Sequence, residues 1–180
     1  MSASAENYPG HAIRFVVPYA AGGTADILAR IVGQKMSEAW GQPVLADNRG
    51  GANGNVGSDI VAKSEPDGYT ILLGTSGSNA VNPSLYSKMP YDARRALGLV
   101  ALVASTANIL VANPKFQANS MKEFLELAKA RPGKLTYGSS GIGSVLHLAG
   151  ELLDTKAGIK MVHVPYKGTS PSLTDLMGGQ

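Results

Sequence analysis

Three short segments rich in glycine and in hydroxyl or amide side chains carry most of the chemistry this sequence offers. They are residues 20–24 (Ala-Ala-Gly-Gly-Thr), 74–79 (Gly-Thr-Ser-Gly-Ser-Asn) and 138–144 (Gly-Ser-Ser-Gly-Ile-Gly-Ser). Each lies between a strand-like apolar run and a predicted helix. The backbone N–H groups at a helix start have no partner inside the helix, and the helix dipole makes that end positive. Glycine removes the Cβ that would hold a ligand away, and Ser, Thr and Asn add short donors. Such loops suit a carboxylate, met by several convergent hydrogen bonds rather than by one buried cation. A single loop of this kind is an ordinary turn. Three at matching positions favour a binding cleft.

The same residues do not complete a catalytic motif. Gly138-Ser139-Ser140-Gly141-Ile142 lacks the final glycine of a nucleophile elbow. Gly141-Ile142-Gly143-Ser144-Val145-Leu146 meets only the first part of the dinucleotide fingerprint, and the stretch about 20 residues on, Lys160-Met161-Val162-His163-Val164, has no acidic residue. There is no phosphate-loop lysine motif. His11, His147 and His163 are dispersed without metal-ligand spacing, and the chain has no cysteine. No catalytic residue, metal or cofactor is therefore assigned. His147, one turn into a predicted helix, either faces a ligand or caps the helix start. Lys167, just after a predicted strand, either meets an anion or stands in solvent. His163 reads as structural, Asp26 as a helix cap and Trp40 as helix-end packing.

The elements that position these loops follow from periodicity. Ile13-Arg14-Phe15-Val16-Val17 reads as a strand stopped by Pro18. Ile27, Leu28, Ile31, Val32 and Met36 recur at helical spacing up to Gly41, with Thr24 as the expected N-cap. A short strand at 44–46, a glycine-rich loop at 49–54, a helix at 56–62 and a strand at 69–73 come next, then a short helix at 83–86. Two apolar runs, 97–104 and 109–112, break the rhythm and predict the crossover between two lobes. Ser120-Met121-Lys122-Glu123 matches a capping box opening a helix through Ala130. Strands at 135–137 and 161–164 flank a helix whose apolar side carries Val145, Leu146, Leu148, Ala149, Leu152 and Leu153. A last helix is expected with Pro171 at its first position and Gly178-Gly179 as its stop. Strand and helix alternate, which predicts an α/β fold with mostly parallel strands.

Bulk properties narrow the classes. The 180 residues are 44% hydrophobic and 16% charged, a composition that supports a packed core. The net charge of +3 is spread without a basic stripe, which argues against nucleic-acid binding. No run reaches the ~18 apolar residues of a membrane helix. Ala3-Ser4-Ala5 before Glu6 reads either as the tail of a signal cleavage site or as a small-residue terminus.

The run from Ile13 through Val17-Pro18-Tyr19-Ala20-Ala21-Gly22-Gly23-Thr24-Ala25-Asp26 resembles the opening signature of the Bug receptors, the extracytoplasmic substrate-binding proteins of tripartite tricarboxylate transporters. Glu65-Pro66-Asp67-Gly68-Tyr69-Thr70, Ala80-Val81-Asn82-Pro83-Ser84-Leu85-Tyr86, Arg131-Pro132-Gly133-Lys134-Leu135, His147-Leu148-Ala149-Gly150-Glu151 and Val164-Pro165-Tyr166-Lys167-Gly168 continue it in family order. The resemblance implies a periplasmic binding protein-like fold (type II), with two lobes of mostly parallel sheet around a ligand cleft. It implies a small carboxylate ligand, membrane permease subunits as partners, and a periplasmic location. Mapped by motif, the first-lobe site falls on Gly22, Gly23, Thr24, Thr75, Ser76, Ser78 and Asn79. The second-lobe site falls on Ser139, Gly141, Gly143, Ser144, His147, Lys167 and Gly168. Asn79 departs from the His that members often carry there.

Residues 1–104 are expected to form the first lobe and 105–180 the second, both incomplete, because the family pattern runs on past Gln180. A chain of this extent is expected to bind carboxylates weakly and to self-associate. The competing functions are an α/β enzyme that uses a hydroxyl in the 138–144 loop, and a sensory or scaffold protein. The enzyme reading lacks a general base at a recognisable spacing.

Overall fold

The computed structural model describes residues 8–180. The Ala3-Ser4-Ala5 tail lies outside them.

Strand β1 (Ile13–Val17) is buried at four of its five positions, which is what a run of β-branched and aromatic residues achieves at the centre of a parallel sheet. It pairs in parallel with β2 (Val44–Asn48) on one side and β3 (Thr70–Leu72) on the other, giving the order β2-β1-β3. Helix α1 (Thr24–Trp40) connects β1 to β2. It packs Ala29, Leu28 and Val32 against Phe15, Val17, Val44 and Ile71. Helix α2 (Asn55–Ala62) precedes β3. The first connection runs from β1 to the β2 edge, and the second runs from β2 back across β1 to the β3 edge. The carboxyl end of β1 is thus a topological switch point, where open α/β sheets form crevices.

The second sheet holds β4 (Thr136–Ser139) and β5 (Val162–Pro165), again parallel. In chain order the remaining helices are α3 (Asn82–Leu85), α4 (Met121–Ala130), α5 (Val145–Ala157) and α6 (Thr169–Gly178). The expected capping box is present at α4: Ser120 Oγ accepts from the Glu123 N–H at 3.2 Å, while Glu123 reaches back to the N–H of Asn119 at 2.8 Å. The chain from one sheet to the other runs through residues 97–112 without helix or strand, and Leu99 and Val100 are 91% and 95% exposed.

Two local expectations are corrected. Gly23, not Thr24, is the N-cap of α1, and Asp26 Oδ2 accepts the N–H of Gly22 at 2.9 Å in place of a threonine cap. Pro171 is the third residue of α6, not its first. It is tolerated there because the first-turn N–H groups have no helical acceptor.

Gly57 on α2 lets the helix lie on the end of β1. A Cβ there would stand 2.8 Å from Pro18 Cα and 3.0 Å from the Arg49 carbonyl oxygen. Gly57→Ala gains about 1 kcal/mol of helix propensity but loses about 1–3 kcal/mol to overpacking against backbone. Urea unfolding should show a net loss of up to about 2 kcal/mol; a raised midpoint would contradict this packing.

Candidate functional site

A cleft of about 200 Å³ opens where the carboxyl ends of the two sheets face each other. Tyr19, the loop of residues 51–54, and Tyr86 form the wall on the β1 side. Ser140, Gly141 and Ile142 after β4, with Pro165, Tyr166 and Lys167 at the end of β5, form the other. The two sides touch through backbone. The Ala20 N–H donates to the Lys167 carbonyl at 3.0 Å. A Cβ on Gly50 would come within 3.2 Å of that carbonyl oxygen.

The loop after β2 has an unusual path. Gly51, Ala52, Asn53 and Gly54 all take positive φ, at 144°, 46°, 50° and 89°. For alanine this conformation costs roughly 1–2 kcal/mol, so other contacts must hold it. A ring of buried amides does so. Asn82 Nδ2 donates to the Asn53 carbonyl (3.1 Å) and to Asn55 Oδ1 (2.8 Å), and Asn53 Nδ2 donates to Asn82 Oδ1 (2.9 Å). The Tyr19 hydroxyl reaches Asn53 Oδ1 at 3.2 Å and Thr75 Oγ1 at 2.9 Å. Burial raises the Tyr19 pKa, so its phenol stays a donor. Tyr91 closes the ring by donating to the Ser78 carbonyl at 2.9 Å.

The loop after β4 is pinned from behind. The Gly141 N–H donates to Ser139 Oγ at 3.1 Å, and Ser139 Oγ lies 2.6 Å from His163 Nε2. The Gly143 N–H donates to His147 Nδ1 at 3.1 Å. Ser144 Oγ caps α5 by accepting the His147 N–H at 3.2 Å. The two imidazoles stack with centroids 4.0 Å apart. Burial, and then the neighbouring His147, push the His163 pKa below the ordinary imidazole value. With Gly141 and Gly143 drawn inward, the N–H groups of Ser140 and Ile142 are left without a protein partner among the described residues.

Of the residues named from sequence, Gly141 and Lys167 line the cleft. Ser139, Gly143, Ser144 and His147 stand behind it and shape its wall. Gly168 packs on Ala20, where a Cβ would be 3.1 Å from the backbone nitrogen. Gly22, Gly23 and Thr24 face the start of α6 instead: a Cβ on Gly23 would meet Thr169 Oγ1 at 2.8 Å, and the Thr24 N–H points to the same oxygen at 3.4 Å. Thr75 and Ser78 are engaged inside the β1 side, Asn79 Oδ1 accepts from Ser78 Oγ at 3.0 Å, and Ser76 is exposed. The 51–54 loop, Tyr19, Tyr86, Ser140, Ile142 and Tyr166 were not named. The 51–54 loop carried the same small-residue signal as the three that were chosen.

Residues 28–180 match the model of the tripartite tricarboxylate transporter family receptor, TctC. The chain belongs to this receptor family. Among curated relatives, a protein encoded in the tcbD-tcbE intergenic region of Pseudomonas sp. strain P51 is 40% identical over 96% of this chain and 51% of its own length. BugT of Bordetella pertussis is 39% identical over 98% of this chain and 54% of its own. The receptor-family chain thus spans about half the length of the curated relatives it matches. Among solved structures, the periplasmic binding protein BugD superposes with TM-score 0.85 at 35% identity, over 96% of this chain and 57% of BugD. An R. palustris protein solved with adipate gives TM-score 0.84 at 37% identity, over 96% and 57%. MatC from Rhodopseudomonas palustris, solved with malate, gives 0.88 at 31%, over 96% and 59%. The α/β fold of parallel sheets is therefore that of the periplasmic binding proteins.

Proposed function

We propose that this chain captures a small carboxylate, as an extracytoplasmic solute-binding receptor that delivers it to the permease subunits of a tripartite tricarboxylate transporter. The observation that carries the reading is the cleft's polarity. No acidic side chain lines it, Lys167 is the one charged residue that does, and the Ser140 and Ile142 N–H groups at its wall lack protein partners among the described residues. Donors without competing carboxylates are what an anion needs. A volume of about 200 Å³ lies below the usual range of drug-sized sites and suits an acid of few carbons. The adipate and malate held by two relatives are of this class.

A binding role without catalysis fits the same geometry. Ser139 and His163 are the nearest approach to a nucleophile and base, but Ser139 is 0% exposed and its oxygen is already engaged by the Gly141 N–H. A periplasmic location follows the family pattern. On this reading Gly141 and Lys167 line the cleft, Ser139, Gly143, Ser144 and His147 hold its wall, and the lobes meet near residue 104.

The test is calorimetric titration with adipate and malate beside their diamides. The acids should bind at least about tenfold more tightly, the loss expected for one charge-assisted contact. Equal binding of acid and amide would remove the carboxylate from the account.

A further inference from the structure

We propose that His147, with His163 stacked behind it, is a positioning residue that holds the 139–144 wall of the cleft only while its Nδ1 is free to accept, so that acid releases the wall. The inference rests on the carboxylate reading for its purpose but not for its geometry. His147 Nδ1 accepts the Gly143 N–H at 3.1 Å, so that nitrogen carries no proton. A protonated ring would set two N–H donors against each other across the same distance. His163 Nε2 lies 2.6 Å from Ser139 Oγ, and that oxygen accepts the Gly141 N–H. The Gly143 amide is thus tied to an imidazole and the Gly141 amide to Ser139 Oγ, which also donates to the Gly141 carbonyl at 3.1 Å, and the two imidazoles are in face-to-face contact at 4.0 Å. Charge on either ring opposes charge on the other.

The Ile142 N–H lies between the two tied amides, and the Ser140 N–H immediately before the first. Their aim depends on the ties, since turning Gly141 or Gly143 outward turns its neighbours inward. The wall has backbone freedom to do this: Gly141 and Gly143 have φ of 135° and 83°.

The charged and titratable groups facing the pair are few. Glu151 on α5 has Oε1 3.6 Å from His147 Nε2, but its side chain is 54% exposed and its field is screened. Tyr137 on β4 donates to Glu151 Oε1 at 2.7 Å, with its ring 5.0 Å from His163. Its pKa is pushed far up, by burial first and then by Glu151, so it stays neutral. Asp154, further along α5, is occupied by the Met161 N–H at 2.8 Å. From the β1 side, the atoms nearest Gly143 belong to Leu85, Asn82 and Asn53, none of them charged. Because the folded state depresses the His163 pKa, the unfolded chain binds that proton more readily. The contribution is present above the unfolded imidazole value of about 6.5 and lost as pH falls through the folded one.

The decisive measurement is amide hydrogen exchange by NMR on the ligand-free 180-residue chain, corrected for the chemical exchange rate at each pH. From pH 7.5 to 5.0, protection of Gly143 should fall at least about tenfold while that of Val16 and Val17 in β1 holds. His147→Asn, whose Oδ1 stands where Nδ1 does and cannot be protonated, should keep Gly143 protected at both values. His147→Ala should leave it unprotected at both. Constant Gly143 protection in the parent, or a fall in His147→Asn as large as the parent's, would overturn the inference. No ligand enters these arms, so they stand or fall apart from the carboxylate reading. Adipate titrated between pH 7.5 and 6.0 adds a sign. A histidine touching the ligand strengthens binding on acidification, whereas loss of the ties weakens it, and strengthened binding would contradict the proposal.

Discussion

Asn82→Asp should destabilise the protein by about 3–5 kcal/mol, although it changes a single atom. In the parent, the Asn82 amide donates to the Asn53 carbonyl and to Asn55 Oδ1, and the residue is 0% exposed. An aspartate puts an acceptor where those two acceptors wait. Either a charge is buried against two oxygens, or the carboxyl takes up a proton and serves one of them. The second course raises its folded-state pKa above the unfolded value of about 3.9. The folded state then binds the extra proton, so stability falls as pH rises and part of the loss is recovered near pH 5. Urea unfolding at pH 5 and pH 8 measures both parts. The melting temperature should drop by roughly 10 °C at pH 8. A variant within about 1 kcal/mol of the parent at both pH values would show that the amide ring does not hold the 51–54 loop.

Lys167→Met should weaken adipate or malate binding about 30-fold, equivalent to roughly 2 kcal/mol for one contact with a charged group. Lys167 is the charged residue at the cleft wall. Its backbone carbonyl, which ties the two sides together through Ala20, is unaffected by the change. Fold and closure should therefore survive, and the loss should appear in affinity alone. The salt dependence of binding should flatten as well, since the screened attraction is gone. Binding of the diamides should not change. An unaltered acid affinity would place the ligand's carboxylate on the backbone donors of Ser140 and Ile142 and away from Lys167.

Much of the fold was legible before any coordinates, and for local reasons. The β1 run, the 3.6-residue spacing in α1, the capping box at α4 and the glycine stops are each written within one or two turns of chain. The misreadings were local competitions between equally plausible groups. Asp26 outcompeted Thr24 at the start of α1 because a carboxylate reaching back to Gly22 also pairs with Arg30 at 3.0 Å. The cleft was legible as a class of loop, and Gly141 and Lys167 were among the residues named for it. Glycine and hydroxyl content marked three loops, yet two of them spend their donors inside the protein or against α6.

By itself the sequence determined the strand–helix alternation, the loops at which backbone donors are exposed, and the motif order that places the chain in its receptor family. These depend on residues close together along the chain, where periodicity and capping act without knowledge of the rest. Only the tertiary structure decided which loop faces which. Asn53 and Asn82 are 29 residues apart in the chain, and Ser139 and His163 are 24. Their hydrogen bonds form because parallel strands with helical crossovers bring every carboxyl-end loop to one edge of its sheet. No local propensity encodes such a pairing. That Gly23 comes to face Thr169, and His147 the Gly143 N–H, follows from how two separately formed sheets pack, and backbone contacts such as Ala20 to Lys167 set that packing.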